Sequence, residues 1–115
     1  MKQKVWKTKD FEIKVWETNT GKELAILEGH RASVNALSFS PDDKKIASCS
    51  DDGTVKIWDA ITGDVLQTLR HGAIGELGLQ PTYTTVAFSP DGKSIATGST
   101  DSQIKIWDVS KLMGT

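Results

Sequence analysis

The sequence predicts an all-β chain built from repeated antiparallel units of four short strands. The first observation behind this is a recurring tryptophan motif: Lys14-Val15-Trp16, Lys56-Ile57-Trp58-Asp59 and Lys105-Ile106-Trp107-Asp108. The second is that whole segments return. Ser38-Phe39-Ser40-Pro41-Asp42 comes back as Ala87-Phe88-Ser89-Pro90-Asp91, and Ile46-Ala47-Ser48-Cys49-Ser50 as Ile95-Ala96-Thr97-Gly98-Ser99. The third is local: apolar residues alternate in short runs bounded by Pro, Gly and Asp, with no long helical periodicity in competition.

The elements follow in order. Residues 1–28 hold the tail of a unit, with strands expected at about Phe11 to Trp16 and Lys22 to Glu28. Residues 29–70 form a complete unit. Its first strand is marked by Val34, Leu37 and Phe39, and the break from period two between 34 and 37 predicts a bulge near Asn35. Ser40-Pro41-Asp42-Asp43 is a type I turn signal, after which Asp43 must occupy a left-handed position that Gly92 fills more comfortably in the next copy. A second strand covers about Lys45 to Ser50, Asp52-Gly53 turns, Thr54 to Asp59 alternates, and Thr62-Gly63-Asp64 turns into Val65 to Leu69. The interval from Trp58 to Trp107 exceeds that from Trp16 to Trp58, while Phe39 to Trp58 and Phe88 to Trp107 are equally spaced. The excess therefore lies before Phe88, in an inserted loop at 71–82 that contains His71-Gly72-Ala73-Ile74-Gly75-Glu76-Leu77-Gly78. Residues 83–115 repeat the unit from Tyr83, Val86 and Phe88 onward but lack a clear last strand. Four antiparallel strands in about forty residues is the arithmetic of a β-propeller blade.

Composition limits the function classes. The 115 residues carry fourteen Lys and Arg against fifteen Asp and Glu, a formal charge of -1, so no global field steers the chain to nucleic acid or an anionic membrane. No apolar run is long enough for a membrane helix, and the first residues lack the apolar stretch of a secretory signal, so a soluble cytoplasmic protein is expected. The single cysteine, Cys49, rules out an internal disulfide and a cysteine-rich zinc site, and His30, His71 and Cys49 have no metal-ligand spacing; no cofactor is implied.

Gly29-His30, Ser38-Phe39-Ser40-Pro41-Asp42, Ile46-Ala47-Ser48 and Asp52-Gly53-Thr54-Val55-Lys56-Ile57-Trp58-Asp59 together resemble the WD-repeat consensus almost position for position, over about residues 10 to 108. The resemblance implies a partial β-propeller of four-stranded blades that serves as a platform for protein or peptide partners. It also implies a structural hydrogen-bond network of His30, Ser48, Asp52 and Trp58, with Thr97, Asp101 and Trp107 matching in the following repeat. Departures are local. His71 precedes a glycine instead of following one, Trp6 stands where Ser or Thr belongs, and Glu17 replaces the Asp after Trp16.

A Ser, a His and an Asp in one repeat also compose a hydrolase triad. No nucleophile elbow surrounds Ser48, however, and the constellation partly recurs in the next repeat, as a brace does and a catalytic site does not. No catalytic residue is therefore expected. Three of the four Trp share one repeat position and read as architecture. Lys2, Lys4, Lys7, Lys9 and Lys14 form a short basic run that could touch nucleic acid, but the run reads better as a solvated face. Arg31, Asp51, Tyr83 and the insertion are the expected partner contacts, Arg and Tyr being enriched at binding hot spots. Two or three blades leave apolar faces uncovered, so the chain reads as a piece of a longer propeller, with assembly of several copies into a ring as the alternative.

Overall fold

The computed structural model describes residues 3–7, 11–70, 82–100 and 102–112, and in them the chain is all-β. Ten strands form three antiparallel sheets. The N-terminal sheet holds β1 (Gln3–Lys7), β2 (Ile13–Glu17) and β3 (Glu23–Leu27) in that order. The central sheet holds β4 (Val34–Phe39), β5 (Lys45–Ser50), β6 (Thr54–Asp59) and β7 (Val65–Arg70). The C-terminal sheet holds β8 (Tyr83–Phe88), β9 (Ser94–Ser99) and β10 (Ile104–Asp108), followed by a short 3-10 turn at Ser110–Leu112. The strand β1 adds to the two expected ahead of residue 28; it pairs with β2 from Gln3↔Glu17 to Lys7↔Ile13.

Local chemistry places the turns. The β4–β5 register shifts between Val34 and Ala36, which is the bulge expected at Asn35, and the β8–β9 register shifts in the same way between Tyr83 and Thr85. After each Pro, the chain closes a turn in which Asp43 N–H donates to the Ser40 carbonyl and Gly92 N–H to that of Ser89, both at 2.9 Å. Both residues lie at positive φ, 61° for Asp43 and 73° for Gly92. The Ser hydroxyl in each turn donates to an Asp carboxylate two residues on, 2.6 Å in one and 2.7 Å in the other. Gly53, at φ 84°, provides the left-handed residue of the β5–β6 hairpin.

Two cores lie between the three sheets. In the first, Ile13, Val15 and Leu27 of the N-terminal sheet meet Val34, Ile46, Trp58 and Ala60 of the central one. In the second, Ala47, Cys49, Val55, Ile57 and Leu69 of the central sheet meet Tyr83, Val86, Ile95 and Val109 of the C-terminal one. One face of β6 (Val55, Ile57) thus looks forward and the other (Trp58) looks back, as strand alternation demands. The inner strands of neighbouring sheets are also tied directly, by Phe88 N–H to Ser38 Oγ at 3.2 Å. Packing volumes compensate across the repeat. Cys49 pairs with Ala36, while at the equivalent place Gly98 pairs with Thr85, whose methyl lies 2.8 Å from where a Cβ on Gly98 would be.

Candidate partner-binding face

The loop from β3 to β4 and the turn from β5 to β6 meet at one end of the central sheet. There the backbone of Gly29-His30-Arg31 runs against Asp52, and four side chains link in series. Trp58 Nε1 donates to Ser48 Oγ at 2.8 Å, Ser48 Oγ lies 2.6 Å from His30 Nε2, and His30 Nδ1 lies 2.9 Å from Asp52 Oδ2. Donor bookkeeping sets the tautomer. An ionised carboxylate can only accept, so His30 Nδ1 carries a proton and gives it to Asp52; with the ring kept uncharged by burial, Nε2 accepts the Ser48 hydroxyl hydrogen, and Ser48 Oγ accepts the indole N–H. Burial lowers the His30 pKa, reinforced by the Lys56 charge and only partly offset by Asp52, in line with that proton count.

Asp52 is the best-bonded carboxylate of the described chain. Oδ1 accepts from Thr54 N (2.9 Å) and Thr54 Oγ1 (2.6 Å), while Oδ2 accepts from His30 Nδ1 and from Arg31 N (3.0 Å). Burial alone would raise its pKa, but Thr54, the Arg31 amide and His30 together hold it down at about 2. Thr54 and the Arg31 amide are parts of this cluster that the motif did not single out, although Thr54 follows directly in Asp52-Gly53-Thr54. The second repeat keeps half the arrangement: Trp107 Nε1 donates to Thr97 Oγ1 at 2.9 Å. Asp101 and His71 lie outside the described residues.

The Ser–His–Asp geometry is that of a hydrolase triad, but access is closed. Ser48 and Trp58 are both 0 % exposed, and the Ser48 oxygen already accepts the indole hydrogen. A nucleophile must reach a substrate carbonyl, and this one faces a tryptophan ring in a packed core.

Of the surface contacts expected from sequence, Arg31 and Asp51 are exposed. Tyr83 is not: at 1 % exposure it packs among Cys49, Val55 and Ile57, because the bulge at the head of β8 turns its ring inward. Its backbone carbonyl instead receives the Asn35 amide at 2.9 Å, and the same amide group donates to Asp51 Oδ1 at 2.8 Å. Asn35, which sequence reading took only as a bulge marker, therefore joins two sheets and holds Asp51 in place. The insertion lies outside the described residues apart from Thr82, as do the side chains of Lys2, Lys4, Lys7 and Lys9; Lys14 approaches Glu23 at 3.8 Å.

Two concavities flank Gly29. One, of about 390 Å³, is lined by Gly29, Arg31, Asp52, Thr54, Lys56 and Arg70; the other, of about 330 Å³, by Phe11, Glu12, Glu28, Gly29 and His30. Among the described residues no helix is long and apolar enough to cross a membrane.

Comparison with known proteins matches this architecture. The family model described as WD domain, G-beta repeat covers residues 21–59 and 65–108; its members generally act as protein-interaction scaffolds and are generally non-catalytic. The chain is 46 % identical over 50 residues to the CCR4-associated factor 4 homolog of Candida glabrata, covering 44 % of this chain and 9 % of that protein. It is 43 % identical over 65 residues to the small ribosomal subunit protein RACK1y of Oryza sativa subsp. japonica, covering 56 % of this chain and 19 % of that protein. Periodic tryptophan protein 2 of Arabidopsis thaliana is 45 % identical over 62 residues, 53 % of this chain and 7 % of that protein. The chain thus matches less than a fifth of the length of each of these relatives. Among solved structures, the computationally designed Ika8 protein superposes with a TM-score of 0.77 at 33 % identity, covering 94 % of this chain and 30 % of that one. On the residues, the sheets and the family match together, the chain belongs to the WD-repeat family.

Proposed function

We propose that the chain is a non-catalytic protein-interaction scaffold that presents the loop ends of its blades to protein or peptide partners. The observation that carries this reading is how the exposed loop residues are held. Arg31 is anchored through its amide to Asp52 and Asp51 through Asn35, while the Ser48–His30–Asp52 constellation is buried under Trp58. A surface fixed in advance loses less entropy on binding than a mobile one, which is what a recognition platform needs. In this reading His30, Ser48, Asp52 and Trp58 are a structural brace, as are Thr97 and Trp107, and Arg31 and Asp51 are the partner contacts. The blades divide as 29–70, complete, and 83–115, with 1–28 the end of a preceding blade and 71–82 an insertion. The protein works in the cytoplasm.

The test has two arms on the 115-residue chain. Binding to a defined peptide library should drop for Arg31→Ala and Asp51→Ala with the strand signal in circular dichroism unchanged. A fluorophosphonate probe should leave Ser48 unlabelled; labelling there would overturn the non-catalytic reading, and binding unaffected by both substitutions would overturn the assignment of the face.

A further inference from the structure

The concavity of about 390 Å³ beside Gly29 gathers three cations, Arg31, Lys56 and Arg70, around one carboxylate, Asp52. Among the described residues none of the three cations forms an ion pair. Asp52 cannot serve them: its two oxygens already accept four hydrogen bonds, from Thr54 N, Thr54 Oγ1, His30 Nδ1 and Arg31 N, which uses the capacity of an ionised carboxylate. Lys56, half-buried, donates to Thr68 Oγ1 at 3.2 Å and keeps two further N–H donors. Arg31 and Arg70 are exposed. The chain as a whole carries a charge of -1, so this local excess of positive charge runs against its composition.

From this we propose that the concavity is an anion pocket that receives one phosphoryl group, carried by a phosphorylated serine or threonine of a partner peptide. The inference rests on the scaffold reading and adds the chemistry of one contact. Two guanidinium groups supply planar pairs of donors suited to phosphoryl oxygens, and an ammonium supplies a point charge beside them. Three cations against one carboxylate leave an excess of two charges, which a phosphoryl group of about −1.5 to −2 balances. The space is kept open by Gly29. A Cβ there would crowd Trp58 Cη2 at 3.2 Å and stand in ordinary contact with Lys56 Cε at 3.6 Å, taking up room beside the lysine that lines the pocket. A nucleic-acid strand or anionic bilayer needs a longer basic strip than these three cations, and the residues that precede Gly29 and Asp52 in the chain are the exposed carboxylates Glu28 and Asp51.

The experiment uses the 115-residue chain and dye-labelled peptide pools with randomised flanks and Ser, Asp or phosphoserine at the centre, read by fluorescence polarisation. The phosphoserine pool should bind about tenfold more tightly than the Ser pool. Arg70→Glu, an exposed change at the end of β7, should remove that preference and leave residual binding of the Ser pool intact. Lys56→Gln should reduce the preference and Lys93→Gln, exposed in the turn between β8 and β9, should not. If Lys56→Gln loses its strand signal, Arg70→Glu alone decides. Equal binding of the Ser and phosphoserine pools overturns the proposal and leaves the scaffold reading standing, as does a preference that survives Arg70→Glu. An Asp pool as tight as the phosphoserine pool also overturns it, reducing the site to a carboxylate contact. Displacement by inorganic phosphate with no peptide preference, or binding to phosphatidylserine vesicles in place of peptides, overturns it too. Failure of all three pools to bind overturns both readings.

Discussion

Replacing Ser48 with alanine isolates the brace, because one oxygen holds two buried neighbours. The substitution removes the acceptor of Trp58 Nε1 (2.8 Å) and the partner of His30 Nε2 (2.6 Å), at a site where Ser48 and Trp58 are both 0 % exposed. Each hydrogen bond contributes about 0.5–1.5 kcal/mol net, and stranding the indole N–H away from water costs about 1–3 kcal/mol. Allowing for overlap between these terms, the loss is about 2–4 kcal/mol, a large part of the roughly 5–15 kcal/mol typical of a domain. Thr97→Ala provides the internal control: it removes one bond (2.9 Å) to Trp107, which is only partly buried and whose N–H can turn to water, so about 1 kcal/mol is expected. Ser48→Thr keeps the hydroxyl, and the equivalent position already holds Thr97, so it should cost less than about 1.5 kcal/mol. Urea unfolding followed by circular dichroism gives all three values. The reasoning fails if Ser48→Ala is no more destabilising than Thr97→Ala, or if Ser48→Thr matches Ser48→Ala.

Stability should fall with acid in two steps. His30 has a folded pKa below its ordinary 6.5, so in the interval beneath 6.5 the unfolded chain binds a proton that the folded one refuses, and stability drops as pH falls. Asp52, held at about 2 against an ordinary 3.8, repeats the same sign between those values. Urea midpoints from pH 8 to pH 2 check this, and a His30→Ala chain that retained the upper step would contradict the assignment to His30. Asp43→Gly should stabilise by about 0.5–1 kcal/mol, since φ 61° strains a side chain that the equivalent Gly92 does not have; a fall in thermal midpoint would refute it. Gly29→Ala should destabilise by about 1 kcal/mol, because the new methyl meets a fully buried Trp58 ring at 3.2 Å, and an unchanged midpoint would show that the ring can move.

The bulge at Asn35 and the turn at Asp43 were legible because each breaks or demands a specific backbone geometry: a skipped alternation in one, a left-handed residue after Ser-Pro-Asp in the other. The resemblance to the WD-repeat consensus likewise implied that His30, Ser48, Asp52 and Trp58 belong together. The inward turn of Tyr83 follows from the same repeat: Tyr83, Val86 and Phe88 stand where Val34, Leu37 and Phe39 do, so reading it as a partner contact gave its residue type more weight than its place beside the bulge. The clustering of Arg31, Lys56 and Arg70 was hidden for a different reason. The three come from a loop and two strands, and Lys56 faces back toward Gly29 only because its neighbours Val55 and Ile57 face forward into the second core.

The buried Ser–His–Asp series shows why distances alone do not define a catalyst. A hydrolase needs its serine oxygen at a surface a substrate can reach, with lone pairs free for attack and oxyanion donors nearby. Here the same three residues have their hydrogens assigned from both ends, by an indole that can only donate and an ionised Asp52 that can only accept. Trp58 donates to Ser48, Ser48 donates to a His30 that burial keeps neutral, and His30 donates to an Asp52 that stays ionised. Every proton in the series then has a fixed place, and moving one leaves a buried group without its partner. That rigidity is useless for proton transfer and useful for holding Gly29, His30 and Arg31 against the central sheet, where Asp52 also receives the Arg31 amide. The fixed proton positions thus connect the Trp58 core to the placement of an exposed arginine, from the interior of the blade to the surface a partner would meet.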